Sequence, residues 1–161
     1  MRRRHLLTLV VAASGGCGFE LRRAPKLPFR SLALVGFAPA SSIADALRLQ
    51  LAASSVQVME APARAEVVLE ALTDAREKSV VASTSAGQVR EVQLRVRLRF
   101  RVATPAGKLL LAADELLLAR DMSYTETAAL AKALEESVLY RAMEDDIVAQ
   151  VLRRLAAITI V

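Results

Sequence analysis

The sequence predicts an α+β fold: a mixed, mostly antiparallel sheet with two helices packed mainly on one face. Three observations predict it. They are a strand–helix–strand order near the start, three long β-type segments separated by short glycine-containing turns, and a long amphipathic segment at the carboxyl end. The chain has 161 residues, the size of one domain, and 54% of them are hydrophobic, which is enough to build a core.

The first part of the predicted domain is a β–α–β unit. Residues 30–37 are rich in β-forming side chains and are followed by turn-forming residues, which predicts a strand. Ser41 and Ser42 can cap a helix that runs to about Ala53. Residues 56–59 predict a second, short strand. The order strand, helix, strand suggests one right-handed crossover.

Three long β-type segments follow, at residues 66–84, 88–104 and 108–122. The connections between them are short and contain Gly87 and Gly107, which favours tight turns. Strands joined by such short connections run in opposite directions. These residues therefore predict an antiparallel meander.

The carboxyl-terminal segment predicts a long helix. Ser123 or Thr125 is expected to cap it, and it should end near Ala156. The charged run at residues 132–136 is interpreted as a solvated face of this helix. An apolar stripe drifts around the helix and is predicted to pack on the sheet. The stripe comprises Leu130, Leu134, Val138, Leu139, Met143, Ile147, Val151 and Leu155.

The amino terminus has the features of a secretory signal peptide. Three consecutive arginines precede an apolar run at residues 6–13, and small residues separate that run from Cys17. The run is much shorter than the roughly 20 residues that span a bilayer. We therefore expect residues 1–16 to be a signal peptide, residues 17–29 a lipidated tether, and residues 30–161 the folded domain.

Small residues directly before a cysteine resemble the lipobox of bacterial lipoproteins. This resemblance implies that Cys17 carries a diacylglycerol and an N-acyl lipid, which would anchor the protein stably in a membrane. Gly18 stands where aspartate would retain a lipoprotein at the inner membrane, so it implies the outer membrane. Ser14 stands where an aliphatic residue is commonest, and the alternative is a secreted protein cut near Ala13 without lipid.

The distribution of reactive side chains argues against an enzyme. The only histidine, His5, lies in the signal segment, and the only cysteine is Cys17. The mature chain therefore lacks the groups for Ser-His-Asp or Cys-His catalysis and for histidine-based zinc sites, so we expect no metal and no cofactor. The formal charge of +5 falls to about +2 without the three signal-segment arginines, and nucleic-acid binding is not implied.

The most unusual motif is LRVRLRFRV at residues 94–102, in which arginines and apolar residues alternate. In a strand, residues two apart share a face, so four guanidinium groups should stand together. Two explanations remain open. Glu66, Glu70 and Asp74 of the preceding strand could form cross-strand pairs with them. Alternatively, the face could bind the phosphates of a lipid, which arginine holds bidentately. The four residues are Arg95, Arg97, Arg99 and Arg101.

Several short motifs are shared with a known family. They are CGFELR at 17–22, KLPFRSLAL at 26–34, RDMSY at 120–124, EES at 135–137 and QVLRRL at 150–155. In these segments the chain resembles the lipopolysaccharide-assembly lipoproteins of the LptE family, also called rare lipoprotein B. The resemblance covers nearly the whole mature chain.

The resemblance implies a non-enzymatic protein held by its lipid on the periplasmic side of the outer membrane. It implies that the protein plugs the LptD β-barrel, binds lipopolysaccharide, and helps both its insertion into the outer leaflet and assembly of the barrel. Only Cys17, as the acylated residue, carries over from the family pattern. The alternative function is an outer-membrane lipoprotein auxiliary to an ABC-type lipid transporter.

Overall fold

Residues 26–160, the part of the chain that the computed structural model describes, form a five-stranded mixed sheet and two helices. The sheet order is β2-β1-β3-β4-β5; β1 is parallel to β2 and β3, whereas β3, β4 and β5 are antiparallel. The predicted fold class is therefore confirmed. The elements are β1 (Ser31–Val35), α1 (Ser42–Ala53), β2 (Gln57–Met59), β3 (Val67–Ser83), β4 (Val89–Ala103), β5 (Leu109–Ser123) and α2 (Ala129–Ala156).

The turn from β1 into α1 depends on two local features. Ser41 caps α1 as predicted: its Oγ accepts a hydrogen bond from the N–H of Ala44 at 3.1 Å. Gly36 has φ +76°, and a Cβ at this position would overlap the carbonyl oxygen of Ala71 in β3. Only glycine therefore allows the chain to leave β1 so close to β3.

The core lies between the sheet and the two helices. Because side chains alternate along a strand, every second residue of β4 points to this side. The side chains on this side of β4 are fully buried; they belong to Leu94, Val96, Leu98, Phe100 and Val102. They pack in one cluster with apolar residues of both helices, which include Leu47, Leu51, Met143, Ile147, Val151 and Leu155.

A β-bulge in β3 changes which side chains face the helices. Glu70 is paired with Arg101, but the register shifts between Ala71 and Thr73, so one extra residue is accommodated there. The shift exchanges the two faces from Thr73 to Val80, where the register shifts again. Asp74 consequently turns away from the arginines, and its Oδ2 accepts a hydrogen bond from the N–H of Ala38 at 3.2 Å.

Two of the three predicted carboxylate partners of the arginines are therefore wrong. The bulge removes Asp74 from the arginine-bearing face. Glu66 lies before β3 begins, and its Oε2 accepts a hydrogen bond from the N–H of Arg30 at 3.1 Å. Only Glu70 pairs with one of the arginines as predicted.

The start of α2 also differs from the prediction. Neither Ser123 nor Thr125 caps it: a short 3₁₀ turn precedes the helix, and Ala128 occupies the cap position without a side-chain hydrogen bond. The Oγ of Ser123 instead accepts a hydrogen bond from the Nζ of Lys132 at 3.1 Å. A lysine that reaches back to the end of β5 thus links the first turns of α2 to the sheet.

The predicted apolar stripe of α2 is confirmed from Leu139 to the end of the helix, and Leu139 itself is partly buried against the core. The second-half members Met143, Ile147, Val151 and Leu155 are all buried. In the first half, Leu130, Leu134 and Val138 are 87%, 68% and 59% exposed, so the prediction that they pack on the sheet is wrong.

The signal peptide, Cys17 and Gly18 lie outside the described residues, as does most of the tether. No helix from residue 26 to residue 160 is both long enough and apolar enough to cross a membrane.

Candidate anion-binding site on the open face of the sheet

The sheet face opposite the helices, here called the open face, carries the four arginines of β4. Their alternation with buried residues confirms the period-two pattern of the sequence. Successive arginines on one face are spaced by about 6.6 Å along the strand, so the four form a column about 20 Å long. We call Arg95, Arg97, Arg99 and Arg101 the arginine column.

Acidic side chains of β3 engage two arginines of the column, one closely and one loosely. The Nη2 of Arg101 lies 2.6 Å from the Oε2 of Glu70, and its Nε donates to the same oxygen at 2.7 Å. The Nε of Arg97 lies 4.0 Å from the Oε1 of Glu77, which is too far for a hydrogen bond. This Nε is buried and has no hydrogen-bond partner among the described residues.

The other two arginines have no carboxylate in contact within residues 26–160. The Nε of Arg95 donates to the amide oxygen of Gln93 at 2.6 Å, which leaves its charge uncompensated. Arg99 stands between Thr73 and Glu115 in the strand register, and its guanidinium makes no hydrogen bond or ion pair in this part of the chain. Every arginine of the column except Arg101 therefore offers donors that an anion needs.

Carboxylates on the neighbouring strands limit the area of positive charge. Glu77 flanks the column on β3, and Glu115 and Asp121 flank it on β5. Asp121 is occupied by a hydrogen bond from the Nε2 of Gln93 at 2.8 Å. The arrangement suits a narrow ligand with anionic groups spaced along one line rather than a broad anionic surface.

A second polar cluster lies on the helix-bearing face and has no counterpart in the sequence predictions. Glu144 of α2 is only 5% exposed, and its Oε1 accepts a hydrogen bond from the Nε of Arg76 in β3. The Nη2 of Arg76 donates to the Oγ of Ser42 at the start of α1. The guanidinium carbon of Arg76 also lies 5.3 Å from the centre of the Tyr140 ring.

Tyr140 completes this cluster and shows that it is structural. Its hydroxyl donates to the carbonyl oxygen of Glu77 at 2.8 Å, and burial raises the pKa of that hydroxyl. The proton that makes the bond is therefore retained at neutral pH. One arginine thus joins α1, β3 and α2, and nothing in the cluster is poised for catalysis.

Comparison with known proteins identifies the family of this domain. The family model for LptE, described as lipopolysaccharide assembly, matches residues 29–155, from the start of β1 to the end of α2. The chain belongs to the LptE family. As a member of that family it is a lipoprotein of lipopolysaccharide assembly and not an enzyme.

Curated LptE proteins are similar over nearly the whole chain. The LPS-assembly lipoprotein LptE of Photorhabdus laumondii is 26% identical over 157 residues, which cover 95% of this chain and 84% of that protein. The LptE of Yersinia enterocolitica is 28% identical over 156 residues, which cover 95% of this chain and 74% of that protein.

Solved structures share the LptE-family fold. Lipoprotein B from Nitrosomonas europaea superimposes with a TM-score of 0.71 at 28% identity, covering 87% of this chain and 91% of that one. Rare lipoprotein B from Shewanella oneidensis gives a TM-score of 0.63 at 24% identity, and the match covers 78% of this chain and 94% of that one. The second likeness extends the agreement in fold to a more divergent sequence.

Proposed function

We propose that this LptE-family chain is anchored in the outer membrane through lipid on Cys17 and partners and plugs an LptD-type β-barrel. In that complex it binds lipopolysaccharide, helps to insert it into the outer leaflet, and aids assembly of the barrel. The observation that carries the proposal is the family match over the whole described domain, from residue 29 to residue 155. The alternative, an auxiliary of an ABC-type lipid transporter, lacks such support.

The arginine column is the proposed site for the phosphates of lipopolysaccharide. Arg95 and Arg99 have no carboxylate in contact, and Arg97 holds its carboxylate only loosely, so their guanidinium groups can each receive a phosphate oxygen. The linear spacing of these groups fits a ligand with more than one phosphate. No helix covers this side of the sheet in the described chain, so a large amphiphile can approach it.

Charge reversal tests the ligand site directly. We expect Arg97→Glu/Arg99→Glu to weaken binding of purified lipopolysaccharide at least about tenfold, which corresponds to about 1.4 kcal/mol. Arg141→Glu/Arg153→Glu, an equal charge change at two exposed positions of α2, is the matched control and should bind normally. Unchanged binding by the double variant, with the urea midpoint preserved, would show that the arginine column is not the site.

The partner is tested by affinity purification of the lipidated chain from detergent-solubilised membranes. An LptD-type barrel in the eluate is the expected result, and depletion of the chain should reduce lipopolysaccharide at the cell surface. Inner-membrane components of an ABC transporter in place of the barrel would favour the alternative function. Unchanged surface lipopolysaccharide after depletion would contradict the proposal.

A further inference from the structure

The first half of α2 is amphipathic in the reverse sense. A helix on a sheet normally turns its apolar side inward and its charged side to solvent. Here the charged side chains of Lys132 and Glu136 are only 17% and 24% exposed, whereas Leu130 and Leu134 are largely exposed. The apolar side chains of this half of α2 therefore face solvent and do not pack in the protein's own core.

Polar contacts hold this half of the helix to the sheet. The Nζ of Lys78 in β3 lies 2.6 Å from the Oε2 of Glu136, and it also sits 5.8 Å from the centre of the Tyr124 ring. The Nζ of Lys132 donates to the Oγ of Ser123 at the end of β5 at 3.1 Å, and within α2 it lies 2.8 Å from the Oε2 of Glu135. The sheet-facing side of this half of α2 is thus held by polar contacts, and its apolar side stays exposed.

The same side of α2 is covered further along the helix. Eighteen residues make five turns at 3.6 residues per turn, so Leu130 and Leu134 share their azimuth with Val148 and Leu152. Those two later residues are buried, and α1 packs against α2. The first residue of α1 lies near Glu144, because Arg76 bonds both of them.

We propose that Leu130, Leu134 and Val138 form a docking stripe for a protein partner. The partner presents an apolar segment with a basic side chain beside it, because Glu126 stands exposed four residues before Leu130. The occupant is the barrel of the proposed function, on which this inference rests. Spacing of the anchors at i, i+4 and i+8 is the pattern by which a helix inserts one face into an apolar groove.

The composition of the stripe argues against two other occupants. The exposed carboxylate of Glu126 beside the stripe repels an anionic lipid surface. A second copy of the chain, paired stripe to stripe, would bury only three aliphatic side chains per copy. That area is well below the roughly 800 Å² that each partner contributes to a stable interface. A stripe of this size fits a partner that also touches the chain elsewhere, as a protein enclosing a plug does.

Site-specific photo-crosslinking in cells tests the docking stripe on the full lipidated chain. A photoreactive residue at position 134 is compared with one at Leu49 of α1, which is a similarly exposed leucine at 70%. We expect a barrel adduct at least about tenfold stronger from position 134 than from position 49. A dominant lipopolysaccharide adduct or a dimer of the chain from position 134 would overturn the inference.

Substitution provides an independent measurement. We expect Leu130→Glu/Leu134→Glu to reduce the barrel recovered with the chain about tenfold and to leave the urea midpoint of the isolated domain unchanged, since neither side chain is in the core. Leu49→Glu is the control and should recover the barrel normally. Full recovery with the double variant refutes the stripe but not the proposed function. A wild-type chain that purifies without any barrel refutes both.

Discussion

Among single residues, Arg76 makes the most consequential set of contacts in the described domain. It bonds Glu144 of α2 and Ser42 of α1 from its position on β3, and it lies over the ring of Tyr140. Glu144 is buried while Arg76 is about half exposed. The arginine can therefore turn to water if its partner is lost, whereas the carboxylate cannot.

This asymmetry predicts unequal effects of removing the two partners. Arg76→Leu leaves the buried carboxylate of Glu144 without its partner and should lower the free energy of unfolding by about 2–3 kcal/mol. Glu144→Gln keeps an oxygen acceptor in place and should cost about 1 kcal/mol. Urea unfolding monitored by circular dichroism measures both values. An equal or larger loss from Glu144→Gln would contradict the assignment of Glu144 as the dependent partner.

At the scale of single elements, the loop after β1 requires glycine at position 36. Gly36→Ala would combine a left-handed backbone with overlap against the Ala71 carbonyl, and we expect a loss of about 3 kcal/mol in the free energy of unfolding. Gly87→Ala has the same backbone strain with open space around the new Cβ, so it should cost only about 1 kcal/mol.

Thermal unfolding of the two glycine variants and the wild type tests this difference. A similar midpoint for Gly36→Ala and Gly87→Ala would mean that the loop after β1 moves to accept a side chain. The same comparison at Gly107, which also has positive φ and open surroundings, provides a second reference.

The sequence predicted most elements because strong local signals mark their ends. Glycine-containing turns bound the meander, and the alternation in LRVRLRFRV gives both faces of β4 correctly. The bulge at Leu72 was missed because no glycine or proline marks it, and the error moved Asp74 to the wrong face. The exposure of Leu134 was missed because periodicity predicts which residues share a face, not which molecule covers them.

At the scale of the whole molecule, the domain has two distinct ends. The chain enters at the start of β3, where the N–H of Arg30 bonds to Glu66. The first turns of α2 lie at the other end, since Lys132 bonds to Ser123, and Ser123 is joined through Glu91 to the last residues of β3. The 17 residues of β3 separate these ends by about 50 Å.

The proposed lipid anchor on Cys17 can be tested apart from the fold. We expect Cys17→Ser to release the chain from membranes into the soluble periplasmic fraction and to remove the mass of the acyl groups from the mature terminus. The urea midpoint of the folded domain should stay the same, because Cys17 precedes the segment that matches the family domain, residues 29–155. Membrane retention with an unchanged mass would contradict lipidation at this residue.

The bulge in β3 has a consequence for how the sequence can change over evolutionary time. Deleting the extra residue, Leu72, would leave a regular strand in which Thr73 still opposes Arg99, so Arg76 and Lys78 would keep facing α2. Deleting one residue between Thr73 and Arg76 would instead exchange the faces beyond the deletion and turn both side chains away from α2. Homologous sequences should therefore tolerate a single-residue deletion at the bulge, whereas an odd change between the bulge and Arg76 should be accompanied by a second, compensating odd change in the same strand.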